Sequence, residues 1–558
     1  MLAPAKALEP HWEAAKESMK SFGKTSATVT GILLWLVLAR FNSPAAGITL
    51  ITHGYEAAND FPTWVSAMAD QMPAYFGGRF PGLNTNFTTY RLVVTHNAGG
   101  YAFSSTRTNG LPPFTTQSGE IVIELDWTAL SGDVKDAFAN TYNVALAVSQ
   151  LLMQTNAFSE LNGHALTEFP IHLIGHSRGG SLVSQISYVL GTNGLWVDQV
   201  TTLDPYPINN DGNVDSGFAY TDAPAKHAYA NVLFADDYWQ DLGAGAGLLD
   251  PVGEPVAGAY VRQLTDLAGG YDSIGNYHSN VHLWYYGTIT SNTPANDTGA
   301  SITSTERTNW WVPYEEQGRE AGLVYSRLGG ANRTNTAIPL GLPSDPAIVS
   351  GYNQYWNLGG GTAANRTSLP ANNGTWPNVI RFEVLGTNVV SQNSAVTTTL
   401  YYQYAGSSNL TLQVFLDQDF NPYNTNSMAV LTLQPPATGA GSVNYYASLA
   451  FSTTNVAPGT YAIYAKISDG RHTRYLYTPQ LVQITPTLQP PNLTIANTGN
   501  NHLNVGINGV AGQKIILQSS TDLKTWTAIA TNTLTTSNWI YPDSSPTNRH
   551  YFRAMLSQ

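Results

Sequence analysis

The stretch "IHLIGHSRGGSLV", Ile171 to Val183, decides how the first half of the chain is read. It sets Ser177 between Gly175 and Gly179, straight after an apolar run and straight before a helical pattern. In a chain with 50 glycines a bare G-x-S-x-G says little, so the frame around it carries the weight. A serine at the tip of a strand-to-helix turn sits in strained backbone. Side chains at the flanking positions would strike the crossing strand and helix, and glycine removes that clash. The reading therefore requires an apolar strand before and an amphipathic helix after. "FPIHLI" (169–174) supplies the first. Leu182, Val183, Ile186, Val189 and Leu190 fall on one face of the second, with Gly191 placed to end it.

Working outward, the chemistry of such a serine names its partners. A hydroxyl is a poor nucleophile until a base takes its proton, and the base needs a carboxylate to fix its tautomer. In this frame the chain order is serine, acid, histidine. "TTLDPYP" delivers Asp204 at a strand end; Asp236 and Asp237 in "LFADDYW" are its rivals. "IGNYHSNVHLWYYGTI" offers His278 as base, with His282 one helical turn on as the alternative and His227 as a third. Two backbone amides must face the developing oxyanion, one just after the serine and one from an early loop. Arg178 supplies the first, and Tyr55 in "ITHGYE" the second, with Gly54 allowing close approach. His53 reads as a structural hydrogen-bonding residue, Asp126 as ordering the loop beneath, and His176 as packing beside the turn.

The ordered set H-G-Y (53–55), D-W (126–127), G-H-S-R-G-G (175–180), L-D-P (203–205) and a late histidine before aromatics resembles the pancreatic lipase group of α/β-hydrolases. The resemblance runs over roughly residues 47–290 and implies Asp204 as the acid, His278 as the base and Tyr55 as the second oxyanion donor. The chain has no cysteine, so the disulfide-closed lid of the animal enzymes has no counterpart.

At 558 residues the chain is too long for one core. Strand-like runs alternate with helical patterns from Gly47 onward, which points to an α/β class: an α/β-hydrolase, mostly parallel sheet with helices on both faces. This catalytic domain is set at 47–375, with 299–375 as a cap or closing segment. After Trp376 the pattern alternates apolar with polar between Gly, Asn and Pro, giving two all-β modules of immunoglobulin or fibronectin-like sandwich type at 376–486 and 492–558. The Pro-rich "TPTLQPPN" (485–492) joins them.

Residues 1–46 read as an N-terminal extension and signal peptide. "TVTGILLWLVLA" (28–39) is too short to cross a bilayer but suits a secretory h-region. Lys20 and Lys24 precede it, and Ser43 and Ala45 follow. Met19 serves as the start as well as Met1, and the expected location is secreted or cell-surface.

Net charge is −12 with no basic cluster, which excludes nucleic acid as a partner. The absence of cysteine excludes disulfides and thiolate metal sites. Asp417, Asp419 and Asn421 in "LDQDFNPYN" have the alternating oxygens a structural Ca²⁺ favours, as does "NNDGNVDSG" (209–217), but a solvated turn reads as well in both. The expected chemistry requires no cofactor. The functional expectation is a secreted serine hydrolase of carboxylic esters, lipase or esterase, working through an acyl-enzyme. Its substrate would be lipid or polyester-like, given Trp127, Tyr206, Trp284 and Tyr285 nearby in sequence. Acyltransferase or peptidase chemistry on the same residues is a third option. The alternative is a non-catalytic surface or polymer-binding protein whose β modules do the binding.

Overall fold

Apolar runs without alternation need cover on both faces, and the first nine strands meet that need. The computed structural model describes residues 46–558 except 81–85, 115–118, 156, 211–216, 244–250, 266, 272–275, 291–304, 306–309, 311–321, 331–355, 358–365, 370–374, 440–441, 488, 500–501, 544–549 and 558. The expected signal segment, most of 299–375 and most of the acidic loop 209–217 lie outside the described residues. Everything described belongs to one compact unit, Asn42–Gln558.

Strands β1 (Ile48–Thr52), β2 (Thr88–Asn97), β3 (Gly100–Asn109), β4 (Ile121–Asp126), β5 (Ile171–His176), β6 (Val197–Leu203), β7 (Val232–Trp239), β8 (Tyr260–Gln263) and β9 (Trp356–Asn357) form one sheet. Its order is β3-β2-β4-β1-β5-β6-β7-β8-β9. The pairs from β2 through β8 are parallel, and only the edges β2–β3 and β8–β9 are antiparallel. The helices are α1 (Thr63–Arg79), the single turn α2 (Thr128–Ser131), α3 (Thr141–Leu152), α4 (Arg178–Thr192) and α5 (Asn276–Gly287). Successive side chains of a strand point to opposite faces, and β1 shows it. Leu50 joins Val148 of α3 and Val183 of α4 in one core cluster. Ile51 joins Met68 of α1 and Val281 of α5 in another.

The chain beyond residue 376 is strands. Residues 378–485 fold as a β-sandwich of a three-stranded sheet (Asn378–Leu385, Ala395–Gln403, Asn444–Ser452) against a six-stranded one around Gly459–Ser468. Between them Phe382, Leu400, Val414 and Ile463 are buried. Residues 492–556 make two further three-stranded sheets around Val505, Ile507, Ile515 and Leu517.

The sandwich shares its packing with the first sheet. Phe169 stacks on Phe114, and Tyr423 of the sandwich stands edge-on to both. The Tyr423 hydroxyl donates to Glu168 at 2.6 Å. Buried Arg474 donates to the carbonyls of Trp196 and Phe169 and to Asn378 Oδ1. The candidate calcium residues belong to this same loop. Asp417 accepts from the Tyr477 hydroxyl and the Asp419 amide, and Asp419 from Asn421, Asn424 and Asn426, while Asn421 donates to the Phe114 carbonyl.

The expected α/β class is corrected by this content. Among the described residues twenty-four strands stand against five α-helices, and four of the five sheets are small and mainly antiparallel. The chain is predominantly β. The physical reason is that the five α-helices all end by Gly287, and even before it the links from β6 to β7 and from β7 to β8 carry no helix among the described residues. The α/β-hydrolase fold name expected for the chain is withdrawn with the class.

Candidate functional site

Four adjacent parallel strands, β1, β5, β6 and β7, end together, and each hands one piece of the site to the loop beyond its carboxyl end: Gly54, Ser177, Asp204 and Gln240. Ser177 has φ 56° and ψ −128°, and Asp204 has φ 48°, both in the left-handed region that costs a non-glycine residue about 1–3 kcal/mol. The buried face of α4 offsets that strain. Leu182, Val183, Ile186 and Leu190 are fully buried, each contributing about 1.5–3 kcal/mol against exposure. Close approach does the rest. A Cβ on Gly175 would lie 2.1 Å from the Gly179 carbonyl oxygen, and one on Gly179 would lie 2.4 Å from that of His53.

Hydrogen bonds hold the Ser177 backbone from both sides of Asp204. The Ser177 amide donates to the Leu203 carbonyl at 2.8 Å, and the Tyr206 amide donates to the Ser177 carbonyl at 3.1 Å. Asp204 is fully buried. Its Oδ2 accepts from His278 Nδ1 at 2.6 Å and from Gln240 Nε2 at 2.9 Å, and its Oδ1 accepts from the Gln240 amide at 2.8 Å. Burial pushes the Asp204 carboxyl well up from the usual range, and the donors of Gln240 and Gly253 act against that. Because Asp204 takes Nδ1 of His278, the other ring nitrogen, Nε2, is turned away from the carboxylate.

The loop after β1 lies against the serine. A Cβ on Gly54 would fall 2.5 Å from Ser177 Cβ and 2.8 Å from its Oγ. Trp127 fixes this loop: its indole N–H donates to the His53 carbonyl at 3.0 Å, and its amide donates to His53 Nε2 at 3.4 Å. Burial lowers the His53 pKa to about 4, so the ring is neutral and its Nδ1–H donates to the Gly54 carbonyl. Tyr55 follows, its ring edge-on to Phe218 at 6.0 Å. In the first turn of α4 the Gly180 amide donates to the Ser177 carbonyl at 2.8 Å, while the amides of Arg178 and Gly179 precede the first acceptor of the helix. The Arg178 side chain is turned away from the serine. It is buried, paired with Asp222 at 2.6 Å and stacked over Trp127 and Tyr220.

The rivals stand elsewhere. His282 is stacked on Trp64, rings 4.3 Å apart. Asp237 accepts from Thr202 and from the Val256 amide, and Asp236 from Thr201, Gln199 and Tyr238. His227 makes an isolated bridge with Ala257. Asp126 accepts from Thr128 in the turn after β4. Sequence reasoning missed Gln240, Trp64 and Asp222. Gln240 directly follows "DDYW" at the end of β7, yet no residue pattern marks a glutamine as a carboxylate's partner. The site thus gathers a serine in strained backbone, a carboxylate–imidazole pair next to its turn and the loop of Gly54 against its Cβ, the groups that acyl-transfer chemistry at a serine draws on.

No family model and no curated protein matches the chain. Solved structures that align include the CARDB domain of a Pyrococcus furiosus protein in complex with di-metal ions, at 14% identity over 20% of this chain and 97% of that one, with a TM-score of 0.12. Bovine butyrophilin aligns at 10% identity over 32% of this chain and 99% of the other, with a TM-score of 0.17. Likeness at those scores carries no argument about fold or function. The resemblance to the pancreatic lipase group is corrected accordingly. The chain is predominantly β, no family model or curated relative carries the resemblance, and the lipase designation falls with it.

Proposed function

We propose that the chain is a secreted serine hydrolase of carboxylic esters. The observation that supports this most is the 2.6 Å Asp204–His278 pair fixed to the turn that holds Ser177 in left-handed backbone. Ser177 Oγ attacks the ester carbonyl while His278 Nε2 takes its proton. Asp204 holds the ring in the Nδ1–H tautomer and stabilises the imidazolium. The amides of Tyr55 and Arg178 receive the oxyanion; loss of one such donor typically costs about 3–4 kcal/mol in the barrier. His278 then gives the proton to the leaving alcohol, and water activated by the same imidazole hydrolyses the acyl-enzyme. The chemistry needs no cofactor. The rings of Tyr55, Phe218 and buried Tyr206 beside the site favour an apolar acyl group, as in a lipid or polyester. The β modules divided at 376 and 492 are assigned to contact with a polymer or cell surface.

A fluorophosphonate probe should label Ser177, and p-nitrophenyl esters should turn over. Ser177→Ala should lose labelling and drop kcat by about 10⁵-fold or more. A Ser177→Ala protein with full turnover would remove the proposal.

A further inference from the structure

We propose that His176 is a positioning residue for the base, tying the strand that delivers Ser177 to the main chain of His278. The inference rests on the esterase reading above. His176 Nε2–H donates to the carbonyl oxygen of His278 at 2.9 Å, from the end of β5 across to the first turn of α5. The His176 ring is buried and packs 4.6 Å from the His278 ring. It also stands edge-on to His282 at 4.6 Å, and His282 lies flat on Trp64. Asp204 restrains only one ring nitrogen of His278, which sets the tautomer but leaves the ring able to swing about that bond. The bond from His176 restrains the same residue at its main chain. Two restraints fix where Nε2 points. His176 and Ser177 are joined by one peptide bond, so nucleophile and anchor move together, and the reach from Oγ to the base is set over a short covalent path. Burial keeps the His176 imidazole neutral, which preserves a single N–H donor and places no second cation beside the imidazolium.

The test uses the full chain with His176→Phe, which fills the space without a donor, and His176→Gln, whose side-chain amide restores an N–H near the same place. Ester kcat and KM, the rate of fluorophosphonate labelling at Ser177 and the thermal midpoint are measured for each, with Ser177→Ala as the blank. His176→Phe should lower kcat and labelling by about 10- to 100-fold with KM nearly unchanged, because a small misplacement of a reacting group costs that much. His176→Gln should recover most of the loss. If the phenylalanine variant is not recovered folded, His176→Asn takes its place, its amide too short to reach the carbonyl, with the same expectation. A donorless variant with wild-type kcat would overturn the inference. So would a His176→Gln protein as slow as His176→Phe while melting like the wild type. Wild-type protein with neither labelling nor turnover would bring down the esterase reading and this inference together; a slow His176→Gln beside an active wild type would bring down this inference alone.

Discussion

His53, His176 and His282 are buried imidazoles, and burial lowers the pKa of each. For His53 the fall is from 6.5 to about 4. A histidine whose folded pKa is depressed adds stability that is fully present above its unfolded value. That stability is lost as pH falls from about 6.5 through the folded value, because the unfolded chain takes up the proton first. The shift of His53 corresponds to about 3 kcal/mol. The unfolding free energy of wild type minus that of His53→Gln, which does not titrate, should therefore shrink by about 3 kcal/mol between pH 7.5 and 4. Urea unfolding at a series of pH values measures it, and a constant difference would mean that the ring ionises freely in the fold. At this scale the sequence showed residue types more readily than surroundings. Ser177, Asp204 and His278 could be picked out because their chemistry demands an order along the chain. Gln240 and Asp222 could not, since what gives them a role is which neighbour folding sets beside them.

Among the elements, the first loop of the sheet is the most exacting. Gly54→Ala would drive a methyl group to 2.5 Å from Ser177 Cβ, and that atom has no flexible end that could yield. Ester turnover should fall by about 100-fold while the protein stays folded, since the loop can shift outward only by carrying its amides away from the serine. Steady-state kinetics beside a circular dichroism spectrum would show it, and unchanged kcat would place the loop away from the reacting carbonyl. The strands themselves were legible. "GITLIT", "YRLVVT", "EIVIELDW", "FPIHLI", "VTTLD" and "YANVLFAD" all fall on strands of the first sheet, because continuous apolar runs have little else to become. The antiparallel hairpin partner β3 was not read, for its "GYAFSSTRTN" is mostly exposed and carries little apolar signal.

For the whole molecule the decisive contacts join distant parts. Arg474→Met should strip the carbonyls of Trp196 and Phe169 of a donor, each buried carbonyl so left costing about 1–3 kcal/mol. The urea midpoint should fall, and limited proteolysis should begin to cut near residue 376; a variant as resistant as wild type would show that the aromatic packing suffices alone. Composition alone pointed to modules strung in sequence. It did not reveal that Tyr423 and Arg474 seat one of them against the first sheet, because the partners lie some 250 to 300 residues away along the chain. The α/β class assigned to residues 47–375 failed at this scale too, since with the strand modules that follow the chain is predominantly β. The seated loop has a mechanical consequence. If residues 378–485 grip an insoluble material, the serine is presented to it at one height and one heading, like a blade set in a plane. Its progress across that material would be bounded by how the grip slides, not by the slack of a tether.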